Sequence, residues 1–453
     1  MARKFSVEYK NLIVVAAPLV FIQLCQASLG LVDTLLAGQY HFVDLAAVGL
    51  GSAVWTSIFI FLAGTLYVIV PKFAELEKSR DPRPRKELYV IAARVALFLS
   101  IFGFLTANFA ALSVGYFISD KEVAALSRTY LHCISFAFPP LVFISMLRYV
   151  GEGHQKLTIL AAISAMLLVL NFLLSYWFVN GGLGIPALGG IGCGVGTALS
   201  AYITLFVLHL IIKKTLPDVF VTKQEKIDIK SPMIKVNALI KEGLPIGIAL
   251  VLQILALASI AFAAEGLGVK HIGAHQIMIS VAMSLVMIPL ALGNASTILL
   301  AGHVSTQNEV AVRYVIYGAF LTWVVYFVLI LAVVLSSYPF IIELFTADGE
   351  VFRLAMSGLY AFILFLLFDS LQMMLAGILR GVQDFVSPLI ATLIAYWVVI
   401  LPGLFLLSRG WSLSVYSIAT IWQVMSFGLF IAVVFLSYAL LFKNKKTLNI
   451  IDK

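Results

Sequence analysis

The feature that most constrains this chain is a succession of long apolar runs. The first reaches from Leu12 to Ala37 with Asp33 as its only charged residue. A helix crosses the hydrocarbon core of a bilayer with about 20 such residues. Twelve spans follow from apolar runs bounded by charge or by Gly/Pro breaks. They lie at 11–37, 44–71, 88–118, 122–147, 157–180, 188–212, 236–265, 271–302, 310–337, 351–379, 385–408 and 412–442. The composition agrees. Hydrophobic residues make up 62% of the 453 positions and charged residues 11%, where a soluble domain carries about 45–50% and about 25%. A soluble globular protein is excluded, because too few polar residues remain to cover a wetted surface.

The basic residues give the expected orientation. Of 30 Lys and Arg, 24 fall in the N-terminus, the C-terminus and alternate loops, and five fall on the opposite side. That is the positive-inside pattern for twelve spans with both termini in the cytoplasm. The net charge of +8 therefore reads as a topology signal, and no nucleic-acid partner is expected. The basic N-terminus followed by an apolar run resembles a signal peptide, but the run is too long for one and reads as a retained first span. Cys25, Cys133 and Cys193 are odd in number, far apart and set in apolar runs. They suggest neither a disulfide framework nor a zinc site.

The chain repeats itself. Pro18 precedes the stretch opened by Asp44 by 26 residues, as Pro245 precedes His271-Ile-Gly-Ala-His275, at an offset of 227. Gly153-His-Gln155 matches Gly381-Val-Gln383 at 228. Six spans per half give both halves one orientation, so they are parallel repeats about an axis along the membrane normal. The expected division is an N-lobe over 1–212, a cytoplasmic linker over 213–235, a C-lobe over 236–442 and a cytoplasmic tail over 443–453. Two halves about one axis create a central cleft, which favours a carrier.

Acids inside spans are costly and usually face a polar interior. Two lie deep, Asp33 and Asp369, one in each half, and no Arg or Lys is expected mid-span. Gln23, Gln26, Gly30, Asp33 and Ala37 recur at helical spacing on the first span, as do Phe365, Asp369, Gln372 and Ala376 on the tenth. Such stripes mark faces turned to protein or water. A carboxyl there can hold a proton or coordinate Na⁺. Asn171 can serve as interhelical glue or stand beside Asp33. Gln253 and Gln276 suit packing more than ligand contact, and His275 reads as a satisfied packing residue. The cavity-lining candidates are Gln23, Gln26, Gln253, Gln276, Phe365 and Gln372.

At Pro18, Gln23, Val32-Asp-Thr34, Ala37-Gly38 and Asp44-Leu-Ala-Ala-Val48 the chain resembles the multidrug and toxic compound extrusion (MATE) transporters, in particular their NorM branch. Gly243-Leu-Pro245, Ala274-His-Gln276, Asp369-Ser-Leu-Gln372, Gly377-Ile-Leu-Arg-Gly381 and Gln383-Asp384 extend the likeness across the chain. The resemblance implies an all-α polytopic membrane protein, with twelve transmembrane helices in two six-helix lobes around a central V-shaped cavity. It implies efflux of cationic amphipathic drugs and dyes against inward H⁺ or Na⁺, with no other cofactor. It assigns ion coupling to Asp33, with Asn171 and Thr197 as polar partners and Na⁺ as one ion these three could hold, and it assigns cation binding in the C-lobe to Asp369.

Two positions depart from the pattern. Gln253 stands where NorM members often place a glutamate, and Phe365 where they place a tyrosine. A Na⁺ site in the C-lobe would lose a charge and a hydroxyl ligand, so coupling through Asp33, with H⁺ slightly favoured, is expected. The expected protein is a monomer in the cell inner membrane, contacting lipid and small cationic substrates, and not an enzyme. A lipid-linked sugar or polysaccharide flippase would need arginines in the cavity. A membrane-embedded transferase would need a clustered acid–base or metal constellation.

Overall fold

The structure, a computed structural model, describes all residues except 1, 80, 119, 183, 222–224, 226–230, 266, 411–416 and 444–453. Nearly all of the expected tail and part of the expected linker lie outside the described residues. The rest is helical, apart from turns and an isolated bridge between Gly182 and Ile185. In chain order the α-helices are α1 (Ala2–Tyr40), α2 (Phe42–Leu66), α3 (Ile69–Glu77), α4 (Arg83–Phe117), α5 (Lys121–Ser135), α6 (Phe138–Gly153), α7 (Leu157–Asn180) and α8 (Ile191–Thr215). They continue as α9 (Pro232–Glu265), α10 (Val269–Ser305), α11 (Glu309–Glu343), α12 (Gly349–Ser357), α13 (Leu359–Gly381), α14 (Val386–Thr392), α15 (Leu401–Gly410) and α16 (Ile418–Tyr438). A π-helical stretch, Leu393–Ile400, joins α14 to α15.

Eleven helices among the described residues are long and apolar enough to cross a bilayer. A twelfth span forms if α5 and α6, bent by 47°, are taken together. Prolines explain the bend. Pro139 and Pro140 open α6, and without N–H groups they cannot continue the ladder of α5. The N–H of Phe136 turns back instead to the carbonyls of Cys133 and Ile134.

The internal repeat is visible in local geometry. Asp120 caps α5 by accepting from the N–H groups of Glu122 and Val123 at 2.9 and 3.1 Å. Asp348 caps α12 in the same way, from Glu350 and Val351 at 2.7 and 3.1 Å. The N–H of Val351, then that of Glu350, hold the Asp348 carboxyl below the usual carboxylate range. At the far ends, Gln155 and Gln383 both take left-handed backbone, φ 55° and 63°. Their N–H groups bond to Glu152 and Arg380 carbonyls at 2.9 and 3.0 Å. Asp120 with Asp348, like Gln155 with Gln383, keeps the offset of 228.

The chain divides into two compact units, Phe21–Val251 and Met1–Val20 with Leu252–Lys453. Both boundaries fall inside helices, in α1 and α9. Each unit packs helices through small residues. In the second, α10 and α13 meet at Gly293 and Gly377. A Cβ at Gly377 would lie 2.3 Å from the Gly293 carbonyl oxygen, and Thr297 donates to the Gly377 carbonyl at 2.7 Å. Overpacking such a contact costs about 1–3 kcal/mol or more. Gly377→Val is therefore expected to lower the thermal unfolding midpoint of the purified protein, while Gly30→Ala, where a Cβ meets nothing within 4 Å, leaves it within error.

Candidate ion-coupling site

Within the unit Phe21–Val251, three helices bring a carboxyl and its partners together. Asp33 lies on α1 and is 7% exposed. Asn171 and Ser175 are four residues apart on α7, and Cys193 and Thr197 four apart on α8, so each pair shares one helical face. Thr197 donates to Asp33 Oδ2 at 3.1 Å, and Ser175 donates to Oδ1 at 3.4 Å. Asn171 donates its amide to the Thr197 oxygen at 2.8 Å. The Cys193 thiol reaches the Asp33 backbone carbonyl at 3.5 Å. Gly196 lets α8 approach this closely, since a Cβ there would sit 2.5 Å from the Ser175 nitrogen and hydroxyl.

The cluster keeps spare acceptor capacity. Asn171 Oδ1 is buried without a hydrogen-bond partner. A carboxylate, two hydroxyl oxygens and a free amide oxygen are the hard donors that Na⁺ takes, and the carboxylate alone suffices for a proton. The residues therefore fit either ion. Among the described residues no group of three or more His, Cys, Asp or Glu gathers as a transition-metal site would.

Asp369 has a different setting. It is fully buried on α13, and neither carboxyl oxygen has a hydrogen-bond partner. Gln253 and Phe365, which stand where the family places a glutamate and a tyrosine, are otherwise engaged. Gln253 donates to the Tyr396 hydroxyl at 3.3 Å, and Phe365 stands edge-on to Trp422 with centroids 5.0 Å apart. Neither brings an oxygen to the carboxyl, so a Na⁺ site of carboxylate, glutamate and tyrosine does not fit here. Gln372 is buried with its amide oxygen unpartnered.

Along the stripe on α1, Gln26 and Gly30 are exposed, Gln23 is half-buried, and Asp33 and Ala37 are buried. Gln276 is exposed. His275 packs against Trp422, but its Nδ1 has no partner, so it is not a satisfied histidine. An arginine sits near the end of α6. Arg148 lies on α6 with its side chain 13% exposed, 3.3 Å from buried Glu152. It lines a small cleft together with Cys25, Gln26 and Ser164.

Ser175 was not singled out from the sequence. Its signal was present, as a hydroxyl one helical turn after Asn171 in an apolar span. Asp44 acts structurally, accepting from the Gly190 N–H at 2.6 Å and so tying the turn before α8 to the start of α2.

A polytopic helical protein built from repeated halves, with a secluded carboxyl in each, has the make-up of a secondary transporter. The comparisons name the family. The MatE family model matches residues 18–177 and 245–406, and the chain belongs to the MatE family of transporters. Among similar proteins are the probable multidrug resistance protein NorM of Acinetobacter baylyi, 30% identical over 98% of both chains, and that of Mannheimia succiniciproducens, 29% identical over 90% of this chain and 88% of that one. In fold the chain is similar to the crystal structure of the eukaryotic MATE transporter AtDTX14, with TM-score 0.84, 18% identity and 98% of both chains covered. It is also similar to the outward-facing conformation of a multidrug resistance MATE family transporter, with TM-score 0.85, 18% identity and 98% and 97% covered.

Removing the hydroxyl that joins Asp33 to Asn171 leaves both short of a partner, a loss of about 1–3 kcal/mol for buried groups. Thr197→Val should lower stability by that order in denaturant titrations, and Thr197→Ser should restore most of it.

Proposed function

We propose that the chain is a multidrug efflux antiporter that exports cationic amphipathic compounds in exchange for inward H⁺ or Na⁺. One observation carries the reading: the Asp33 carboxyl, buried and met by two hydroxyl donors, beside a free amide oxygen. Membership of the MatE family and the multidrug resistance names of its relatives support the substrate class. The positive-inside distribution of Lys and Arg supports an inner-membrane protein with both termini in the cytoplasm.

The mechanism is competition for one carboxyl. Facing outward, Asp33 takes up the ion, and its neutralised site releases the cationic drug. Facing inward, it gives up the ion and the cavity reloads. The gradient suffices, since each proton returns about 1.4 kcal/mol per pH unit and about 2.3 kcal/mol per 100 mV. One monovalent cation leaving for one proton is electroneutral, so only the pH term drives that stoichiometry. Na⁺ would be held by Asp33, Thr197 and Asn171. H⁺ is favoured because Gln253 and Phe365 stand where a C-lobe Na⁺ site would use a charged and a hydroxyl oxygen. A flippase for anionic lipid-linked sugars is less well supported, because the charge of Arg148 is opposed by Glu152 at 3.3 Å.

Proteoliposomes given a pH gradient are expected to export a cationic dye, and those given only a Na⁺ gradient to export it more slowly. Asp33→Asn should reduce gradient-driven export to the level of protein-free vesicles while inserting normally. Full activity in that variant would sink the reading.

A further inference from the structure

Helix α9 begins in one compact unit and ends in the other, and the change falls at Val251–Leu252. Its first half is fixed to α2, α3 and α4 by two kinds of contact. The first is a close seam at two glycines. A Cβ on Gly243 would lie 1.9 Å from the Thr65 carbonyl oxygen, and one on Gly247 would lie 2.4 Å from the Thr65 hydroxyl and 2.5 Å from the Phe61 carbonyl. The second is ionic. Lys72 on α3 pairs with Glu242 at 2.6 Å, and Lys235 pairs with Glu87 on α4. Pro245 stands between the two seam glycines. It removes the N–H that would bond to Lys241 and weakens the helix six residues before the units change.

Helix α1 is arranged reciprocally. Its first half belongs with the other unit, the change falls at Val20–Phe21 just after Pro18, and Glu8 there meets His303 at 3.2 Å. If the two units rearrange as rigid bodies, a helix docked on one and continuous with the other must bend or let go. The seam is of the kind that separates as a step, because backbone-to-backbone van der Waals contact is lost within a small displacement. The ion pairs suit repeated breaking, since Lys72 and Glu242 are partly exposed and such pairs hold weakly.

We propose that the first half of α9 is a gate strap, docked on α2 through Gly243 and Gly247 and latched by Lys72–Glu242 and Lys235–Glu87, that releases once in each transport cycle. Lys72 and Glu242 are then gating residues that touch no substrate. The proposal rests on the transport reading above and names the element that must move.

Cross-linking tests it. Cysteines replace Lys72 and Glu242 in a background where Cys25, Cys133 and Cys193 are alanine, and the pair is bridged in proteoliposomes with a short bis-methanethiosulfonate. Bridging should lower dye export about tenfold or more, with recovery on reduction. Protein bridged to completion that still exports at the unbridged rate overturns the strap. Bridging kinetics supply a readout that needs no export. Adding dye, acid or Na⁺ should change the bridging rate severalfold, and a rate indifferent to all three also overturns the strap. If dye is never exported while the bridging rate responds to ions, the substrate reading fails and the strap stands.

Discussion

A carboxyl group withdrawn from water must find donors or give up its charge, and the arrangement of α1, α7 and α8 around Asp33 follows from that demand. The Thr197 hydroxyl has one hydrogen, and at 3.1 Å from Oδ2 that hydrogen goes to Asp33. Its lone pairs are then free to accept from Asn171 at 2.8 Å, which orients the amide and leaves Asn171 Oδ1 facing inward without a partner. The cluster is thus ordered by its hydrogen bonds while keeping one buried acceptor in reserve. Gly196 is as necessary as the polar groups, because any side chain there would push α8 off the Ser175 backbone.

The two halves share a scaffold without sharing chemistry. Asp120 and Asp348 cap corresponding helices with the same pair of bonds, and Gln155 and Gln383 turn the chain with the same left-handed geometry. Yet Asp33 is met by hydroxyls, while Asp369 has no hydrogen-bond partner at all. Around Asp369, Gln253 is engaged with Tyr396, Phe365 packs on Trp422, and the Gln372 amide oxygen is left unpartnered. Duplicated backbones constrain caps and turns, whereas the side chains across a helix interface are free to diverge. That asymmetry is why the N-terminal carboxyl carries the functional reading.

Much of the fold was legible because membrane helices obey local rules. Backbone groups in hydrocarbon must bond within their own segment, so apolar length alone returns the spans, and the bent α5–α6 pair is announced by Pro139 and Pro140. Asp33 and Asp369 stood out because an acid in such a run is expensive. Ser175 did not, because a hydroxyl can bond to the carbonyl one turn back at little cost and leaves no trace in hydropathy. Arg148 and Glu152 lie beyond the apolar run 122–147, where hydropathy alone suggests a loop. Four residues apart, the two cancel on one helical face, and that cancellation lets α6 extend past the apparent end of its apolar run.

The amino-acid sequence by itself determined the number of spans, their repeat and the two acids that cannot be there by accident, since each depends on composition within about 20–30 residues. Only the tertiary structure decided which acid has partners and where one unit ends and the next begins. The first depends on the rotation of three helices about their axes, set by glycine contacts such as Gly196 on Ser175. The second depends on α9 docking through Gly243 and Gly247 onto Thr65, nearly 180 residues away in the chain. A small residue looks the same in sequence whether it faces lipid or another backbone, and only the packed partner tells them apart.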